Sequence, residues 1–129
     1  MVDIYCDNVL ADTEAFQLRE LDRAVLRFDY RDNYTVELED VKEAFRLYEL
    51  HSPHHAHKVL IVFGKYTTME VDARKYTEQK DMPTPAQAVV IHGLAQRMIA
   101  RFYVLLRKNT HPLKFFNNPE DALTWLRTV

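Results

Sequence analysis

The stretch KVLIVFG, residues 58–64, decides the fold class. An unbroken apolar run of this length, rich in β-branched side chains, is typical of a strand buried on both faces, as in a parallel sheet flanked by helices. A second such run, AQAVVIHG at residues 86–93, also ends on a glycine. Two buried strands with a helical pattern between them predict an α/β fold with parallel pairing and right-handed crossovers.

The segments on either side of these two runs complete the predicted order β-β-α-β-α-β-α-β-α. Residues 15–21 and 24–30 alternate between apolar and polar side chains, which predicts an antiparallel N-terminal hairpin. Apolar spacings of three and four predict helices from residue 38 to the break at 51–53, over 71–80, and over 94–106. A short strand over 113–116 precedes a last helix, for which Asn118 is the predicted N-cap. We expect one domain over 1–129, with an N-terminal extension at 1–23 and a core at 24–129.

Composition excludes several function classes. The chain has 129 residues, two glycines and one cysteine, and its net charge is −2. Two glycines far apart, Gly64 and Gly93, cannot form a dinucleotide fingerprint or a P-loop. The lone Cys6 has no internal disulfide partner and supports no thiolate metal cluster. A near-neutral charge argues against nucleic-acid binding. With neither a signal-peptide pattern nor an apolar run long enough to cross a membrane, we expect a cytoplasmic location.

From residue 24 to 129 the pattern resembles the STAS domain, the fold of the anti-sigma-factor antagonist SpoIIAA. It resembles more closely the small bacterial SpoIIAA-like proteins of unknown function. The resemblance is carried by LEDVK at 38–42, DAR at 72–74, Arg97, and the final segment 116–126. It implies a mixed sheet of four to five strands, with about four helices packed mainly on one side. It also implies a role in protein association rather than chemistry.

Thr67 and Thr68 are the candidate regulatory phosphoacceptors. In the sporulation antagonist a serine is phosphorylated at the start of the helix after the central strand. Here that region reads GKYTTME, residues 64–70, which departs from the family's serine-containing pattern. An added phosphate gains from free N–H groups at a helix start. The alternative is an N-cap, because Thr67 and Glu70 have the spacing of a capping box.

The carboxyl ends of the two buried strands, residues 64–68 and 92–97, form the predicted partner-contact edge. Open α/β sheets place ligand contacts at this end of their parallel strands. The candidate contact residues there are Lys65, Tyr66, Glu70, His92 and Arg97.

The third helix has more apolar positions than one sheet face requires. Leu94, Met98, Phe102 and Leu105 form one row, and Ile99, Tyr103 and Leu106 widen it. Because contiguous exposed apolar surface is costly for a monomer, the excess indicates a dimer or partner face, and we favour a homodimer. The candidate residues for this face are Phe102, Tyr103 and Leu106.

Four histidines, His51, His54, His55 and His57, surround the end of the first helix. Clustered imidazoles chelate Zn²⁺ or Ni²⁺, but closed zinc sites usually include cysteine or carboxylate ligands. A polar loop, or a pH-dependent surface patch, is the favoured interpretation. We expect no metal and no cofactor.

Three functions are consistent with these observations. The leading hypothesis is a non-enzymatic, STAS-like interaction or regulatory module with a protein partner. The alternative is a domain that binds a small apolar or lipid-like ligand between sheet and helices, which a cavity on the order of several hundred Å³ there would favour. A hydrolase is the third, and it requires a catalytic triad that spacing alone does not reveal.

Overall fold

The computed structural model describes residues 8–21, 24–80, 82–106 and 111–129, without the side chains of residues 99 and 101–106. The predicted order of strands and helices is confirmed, with three additional strands. The elements are β1 (Asn8–Asp12), β2 (Phe16–Leu21), β3 (Val25–Tyr30), β4 (Thr35–Val36), α1 (Leu38–His51), β5 (Lys58–Val62), β6 (Thr68–Met69), α2 (Val71–Gln79), β7 (Gln87–Val90), α3 (Gly93–Leu106), β8 (Leu113–Phe116) and α4 (Pro119–Leu126).

Six strands form the main sheet in the order β1-β2-β3-β5-β7-β8. The pairs β1–β2 and β2–β3 are antiparallel, whereas the pairs β3–β5, β5–β7 and β7–β8 are parallel. The predicted hairpin is therefore β2–β3, and the two apolar runs are the central strands β5 and β7. A two-stranded parallel ladder, β4 with β6, lies outside this sheet. The mixed α/β class is confirmed, with one more strand in the main sheet than the upper expected number.

Helices cover both faces of the sheet unequally. On the helix-rich face, Ala44 and Leu47 of α1 pack with Phe28 and Val59. Next to them, Ala100 of α3 packs with Val89 on the same face, and α2 contacts both α1 and α3. On the opposite face α4 packs alone, with its residues Ala122 and Leu126 against Val25, Leu60, Ala88 and Val90. Because both faces are covered, β5 and β7 require the continuous apolar runs seen in the sequence.

The helix starts show which capping signals the fold uses. The Asn118 side chain accepts a hydrogen bond of 2.9 Å from the Asp121 backbone N–H, as predicted for an N-cap. At α1 the Glu37 backbone N–H donates to Asp40 Oδ2 at 2.9 Å. The predicted capping box of Thr67 with Glu70 is wrong, because Glu70 is itself the N-cap residue of α2.

Candidate functional site

Gln96 joins the two predicted segments of the partner-contact edge. Its amide Nε2 donates to the Gly64 carbonyl at 3.1 Å and to the Thr67 carbonyl at 2.8 Å. Its Oε1 accepts from the His92 backbone N–H at 2.7 Å. Since the Gln96 side chain is buried, these bonds hold residues 64–68 against residues 92–97. We call the two segments together the loop edge.

A third segment, the turn after β3, supports the loop edge from the other side. The Lys65 backbone N–H donates to Asp32 Oδ1 at 2.8 Å, and the Asn33 backbone N–H donates to the Lys65 carbonyl at 2.8 Å. A Cβ on Gly64 would lie 2.7 Å from the Asp32 backbone nitrogen and 2.9 Å from the Arg31 carbonyl carbon. Gly64 is therefore required for this close approach of two backbones.

All five predicted contact residues are exposed, namely Lys65, Tyr66, Glu70, His92 and Arg97. Tyr66 is the most exposed large apolar side chain in the described part of the chain, at 77%, and its φ of 61° is left-handed. A non-glycine residue in this conformation costs about 1–2 kcal/mol. The fold thus holds the aromatic side chain of Tyr66 out into solvent on a strained backbone. Its contact with a partner stays a prediction.

The side of α3 that packs against the sheet is not the side that carries the predicted apolar row. Gln96 and Ala100 are buried, whereas Leu94 and Met98 are 73% and 51% exposed. The apolar row is therefore exposed at its first two turns, beside Arg97. The side chains of Phe102, Tyr103 and Leu106 lie outside the described residues, so the dimer face stays a prediction.

The two candidate phosphoacceptors differ in accessibility. Thr67 is buried, and its hydroxyl donates to the Arg31 carbonyl at 2.7 Å. Thr68 is exposed, and its Oγ1 lies 3.1 Å from Thr35 Oγ1 across the β4–β6 ladder. Only Thr68 is accessible in this conformation, and phosphorylation of Thr67 or Thr68 stays a prediction.

Two of the four histidines at the end of α1, His55 and His57, have separate partners. His55 Nε2 lies 3.1 Å from Glu49 Oε1, and the His55 ring stacks on Tyr48 with centroids 6.1 Å apart. His57 contacts Ser52 and Glu20. Among the residues that the structure describes, no three His, Cys, Asp or Glu side chains converge as a metal site would require.

Ser52, His57 and Glu20 form a hydrogen-bonded chain. Ser52 Oγ lies 2.9 Å from His57 Nδ1, and His57 Nε2 lies 2.7 Å from Glu20 Oε2. These residue types are those of a hydrolytic triad, with the two imidazole nitrogens exchanged. However, Ser52 is only 2% exposed, and its Oγ also accepts from the His57 backbone N–H at 3.1 Å. These hydrogen bonds connect the end of α1 to β2 and to the start of β5.

Two tyrosines near the start of α1 hold their protons tightly. The Tyr34 hydroxyl donates to Asp40 Oδ2 at 2.9 Å, and burial together with this bond raises the pKa of Tyr34 to about 12. Burial, with the charge of Asp40, raises the pKa of Tyr30 well above its usual value. Both hydroxyls therefore remain neutral donors at any physiological pH.

A mostly apolar cavity of about 120 Å³ lies between the helix-rich face of the sheet and the helices α1, α2 and α3. Aromatic and aliphatic side chains of β3, β5, β7 and β8 form its floor, and Phe45 and Arg74 are part of its helical wall. Thr67, Thr68 and Gln96 line it as well. The cavity therefore reaches the loop edge. Its position is the one expected for the alternative ligand-binding function.

Residues 19–129 match the sequence family described as a domain of unknown function, DUF7793. The chain belongs to this family. The matched region begins inside β2 and includes the loop edge and the cavity. It contains every later strand and helix but not β1. No curated protein matches the chain in sequence.

A solved structure resembles this DUF7793 chain over nearly its whole length. It is an uncharacterised protein of the DUF3478 family from Shewanella loihica PV-4, described as having a SpoIIAA-like fold. The TM-score is 0.59, the identity is 17%, and the alignment covers 98% of each chain. The SpoIIAA-like fold expected from the sequence resemblance is confirmed. None of the described helices is long and apolar enough to span a bilayer.

Proposed function

We propose that this chain is a non-enzymatic, STAS-like interaction module that binds a protein partner through the loop edge. The observation that carries the proposal is the Gln96 side chain, which hydrogen-bonds three backbone groups from both segments of that edge. A pre-organised loop loses little conformational freedom on association, which favours binding. The SpoIIAA-like fold supports an interaction role by analogy only.

The side chains of the loop edge indicate which kind of partner surface would be complementary. Tyr66 offers a large amphipathic side chain, of the type that dominates binding energy at interfaces. Leu94 and Met98 add exposed apolar area, while Lys65 and Arg97 add positive charge. An apolar surface that also carries acidic side chains is the complementary partner.

The burial of Ser52 supports the non-enzymatic part of the proposal. A serine nucleophile must reach a substrate carbonyl, and its alkoxide requires nearby donors for the oxyanion. Ser52 is 2% exposed, and its Oγ bonds the backbone and the imidazole of one residue, His57. The hydrogen bonds of Ser52 and His57 are therefore better explained as cross-links between structural elements.

Quantitative affinity capture from the native cell tests the proposal. The tagged chain is compared with Tyr66→Ala and with a matched control, Leu50→Ala, because Leu50 is also an exposed apolar residue (60%) but lies on α1. We expect at least one protein to be enriched equally by wild type and control, and at least tenfold less by Tyr66→Ala. If no captured protein depends on Tyr66, the loop edge is not the binding surface.

A further inference from the structure

We propose that the cavity between the helix-rich face of the sheet and α1, α2 and α3 binds a small, uncharged, apolar molecule with a single ring. This inference goes beyond the interaction role, because it concerns an internal site and a different class of ligand. Phe28, Ile61 and Phe115 of the sheet line the cavity, together with Phe45 of α1. Aromatic and branched aliphatic side chains of this kind favour an apolar occupant.

Two alanines contribute to the space that the ligand would occupy. Ala44 of α1 and Ala100 of α3 line the cavity where these helices face the sheet, and both are buried. Because an alanine side chain is a single methyl group, these positions leave room that a larger residue would fill. Atoms that line such a gap lose dispersion contacts, and a ligand of matching shape restores them.

The volume sets the size of the ligand. A cavity of about 150 Å³ lined by Leu, Ile and Phe binds benzene in a well-studied engineered case. The cavity here, at about 120 Å³, is comparable and slightly smaller. Pockets for drug-sized ligands start at roughly 300 Å³. One six-membered ring with one small substituent is therefore the expected upper size, and a long acyl chain is too large.

The polar side chains around the cavity favour an uncharged ligand. Arg74 is the one charged residue that lines the cavity in the described part of the chain, and its Nε lies 3.6 Å from Glu78 Oε2 in an ion pair. Tyr30 stays neutral, because burial raises its pKa well above the usual value. An ionised ligand would therefore bring an uncompensated charge into an apolar space, which is costly. The threonine and glutamine side chains of the lining already form hydrogen bonds within the chain, namely Thr67, Thr68, Thr77, Gln87 and Gln96.

Fluorine NMR with ring probes that differ mainly in charge tests the proposal. Fluorobenzene and 4-fluorotoluene are neutral, whereas 4-fluorobenzoate is an anion and 4-fluorobenzylamine is a cation at neutral pH. Each probe is titrated against wild type, Ala44→Leu and the control Ala95→Leu, which makes the same change at an exposed position of α3. In parallel, alanine methyl NMR of the wild type compares Ala44 and Ala100 with Ala122, which is buried on the opposite face of the sheet.

We expect wild type and Ala95→Leu to bind the neutral probes about tenfold more tightly than either charged probe, because burying an ionised group in the cavity is costly. Ala44→Leu should bind the neutral probes at least about tenfold less tightly, because leucine fills the space. In the wild type, the methyl signals of Ala44 and Ala100 should shift on binding while that of Ala122 stays unchanged. This measurement locates the probe whether or not Ala44→Leu folds.

Four results would overturn the proposal. They are equal or tighter binding of a charged probe, no binding of either neutral probe at millimolar concentration, undiminished binding by a folded Ala44→Leu, and a methyl shift at Ala122 without one at Ala44 and Ala100.

Discussion

The substitution Gly64→Ala tests the packing that forms the loop edge. The new methyl carbon would lie 2.7 Å from the Asp32 backbone nitrogen and 2.9 Å from the Arg31 carbonyl carbon, and closer still to Asp32 Oδ1. Contacts below 3.0 Å with backbone atoms are not relieved by a rotamer change. The loop after β5 must therefore move away from the turn after β3.

The cost can be worked from the contacts that this movement breaks. Overpacking of a close contact costs about 1–3 kcal/mol. The bonds between Lys65 and Asp32 and between Asn33 and Lys65 each contribute about 0.5–1.5 kcal/mol. Alanine lowers the conformational entropy of the unfolded chain, which offsets about 0.4–1 kcal/mol of this loss. Taken at their midpoints, these contributions give a net loss of about 3 kcal/mol, or a decrease in Tm of about 12 °C for a domain of this size.

Urea unfolding followed by the fluorescence of the single tryptophan, Trp125, measures this loss. Trp125 packs against Phe116 with ring centroids 5.8 Å apart, so its signal reports tertiary structure. Gly93→Asn is the comparison, because Gly93 has a left-handed φ of 73° but open space around its Cβ position, and asparagine tolerates that conformation. It should cost less than 1 kcal/mol. A Gly64→Ala variant within 0.5 kcal/mol of wild type would refute the close-approach argument.

Three further predictions concern titration, capping and reactivity. The pKa of Tyr34 is raised from 10 to about 12, so the folded chain holds this proton more tightly than the unfolded chain. The free energy of unfolding should therefore fall as pH rises from about 10 to 12. Urea titrations over that range should show a smaller fall for Tyr34→Phe. Asn118→Ala should lose about 1 kcal/mol through the missing cap of α4, whereas its exposed neighbour Asn117→Ala should change the urea midpoint little. A fluorophosphonate probe should not label Ser52 in the folded chain by intact-mass analysis, and stoichiometric labelling at that residue would contradict the non-enzymatic proposal.

The sequence reveals the central strands and helices because their patterns are local. The apolar runs that become β5 and β7 are continuous only because α4 covers one face and α1–α3 cover the other. The ladder of β4 with β6 could not be predicted, since two residues per strand carry no periodicity. The edge strand β1 was missed for a similar reason: it is half-exposed, and its register shifts between Val9 and Ala11.

The orientation of α3 could not be predicted either, for a different reason. When apolar residues surround most of a helix, periodicity does not determine which side faces the sheet. The inward side is fixed by Gln96, whose three hydrogen bonds reach backbone groups up to 32 residues away. A glutamine in an apolar helix is the signal that could have identified this contact.

The candidate site was predictable in position but not in detail. The rule for parallel sheets predicts a site at this edge, and the fold brings the predicted residues together there, exposed to solvent; their contact with a partner stays a prediction. The local spacing of Thr67 and Glu70 indicates a cap. In the fold the Thr67 hydroxyl instead donates to the carbonyl of Arg31, 36 residues away. The spacing of Arg74 and Glu78 is that of an ordinary surface ion pair. Only the fold shows that Arg74 lines a cavity and that the Glu78 side chain is 11% exposed.

Photo-crosslinking in the native cell tests the interaction role most directly. A benzophenone amino acid is placed at position 66, on the loop edge, and at position 50, an exposed control site on α1. The account predicts a discrete crosslinked protein from position 66 and none from position 50. Equal crosslinking from both positions, or crosslinking from position 50 alone, would contradict it.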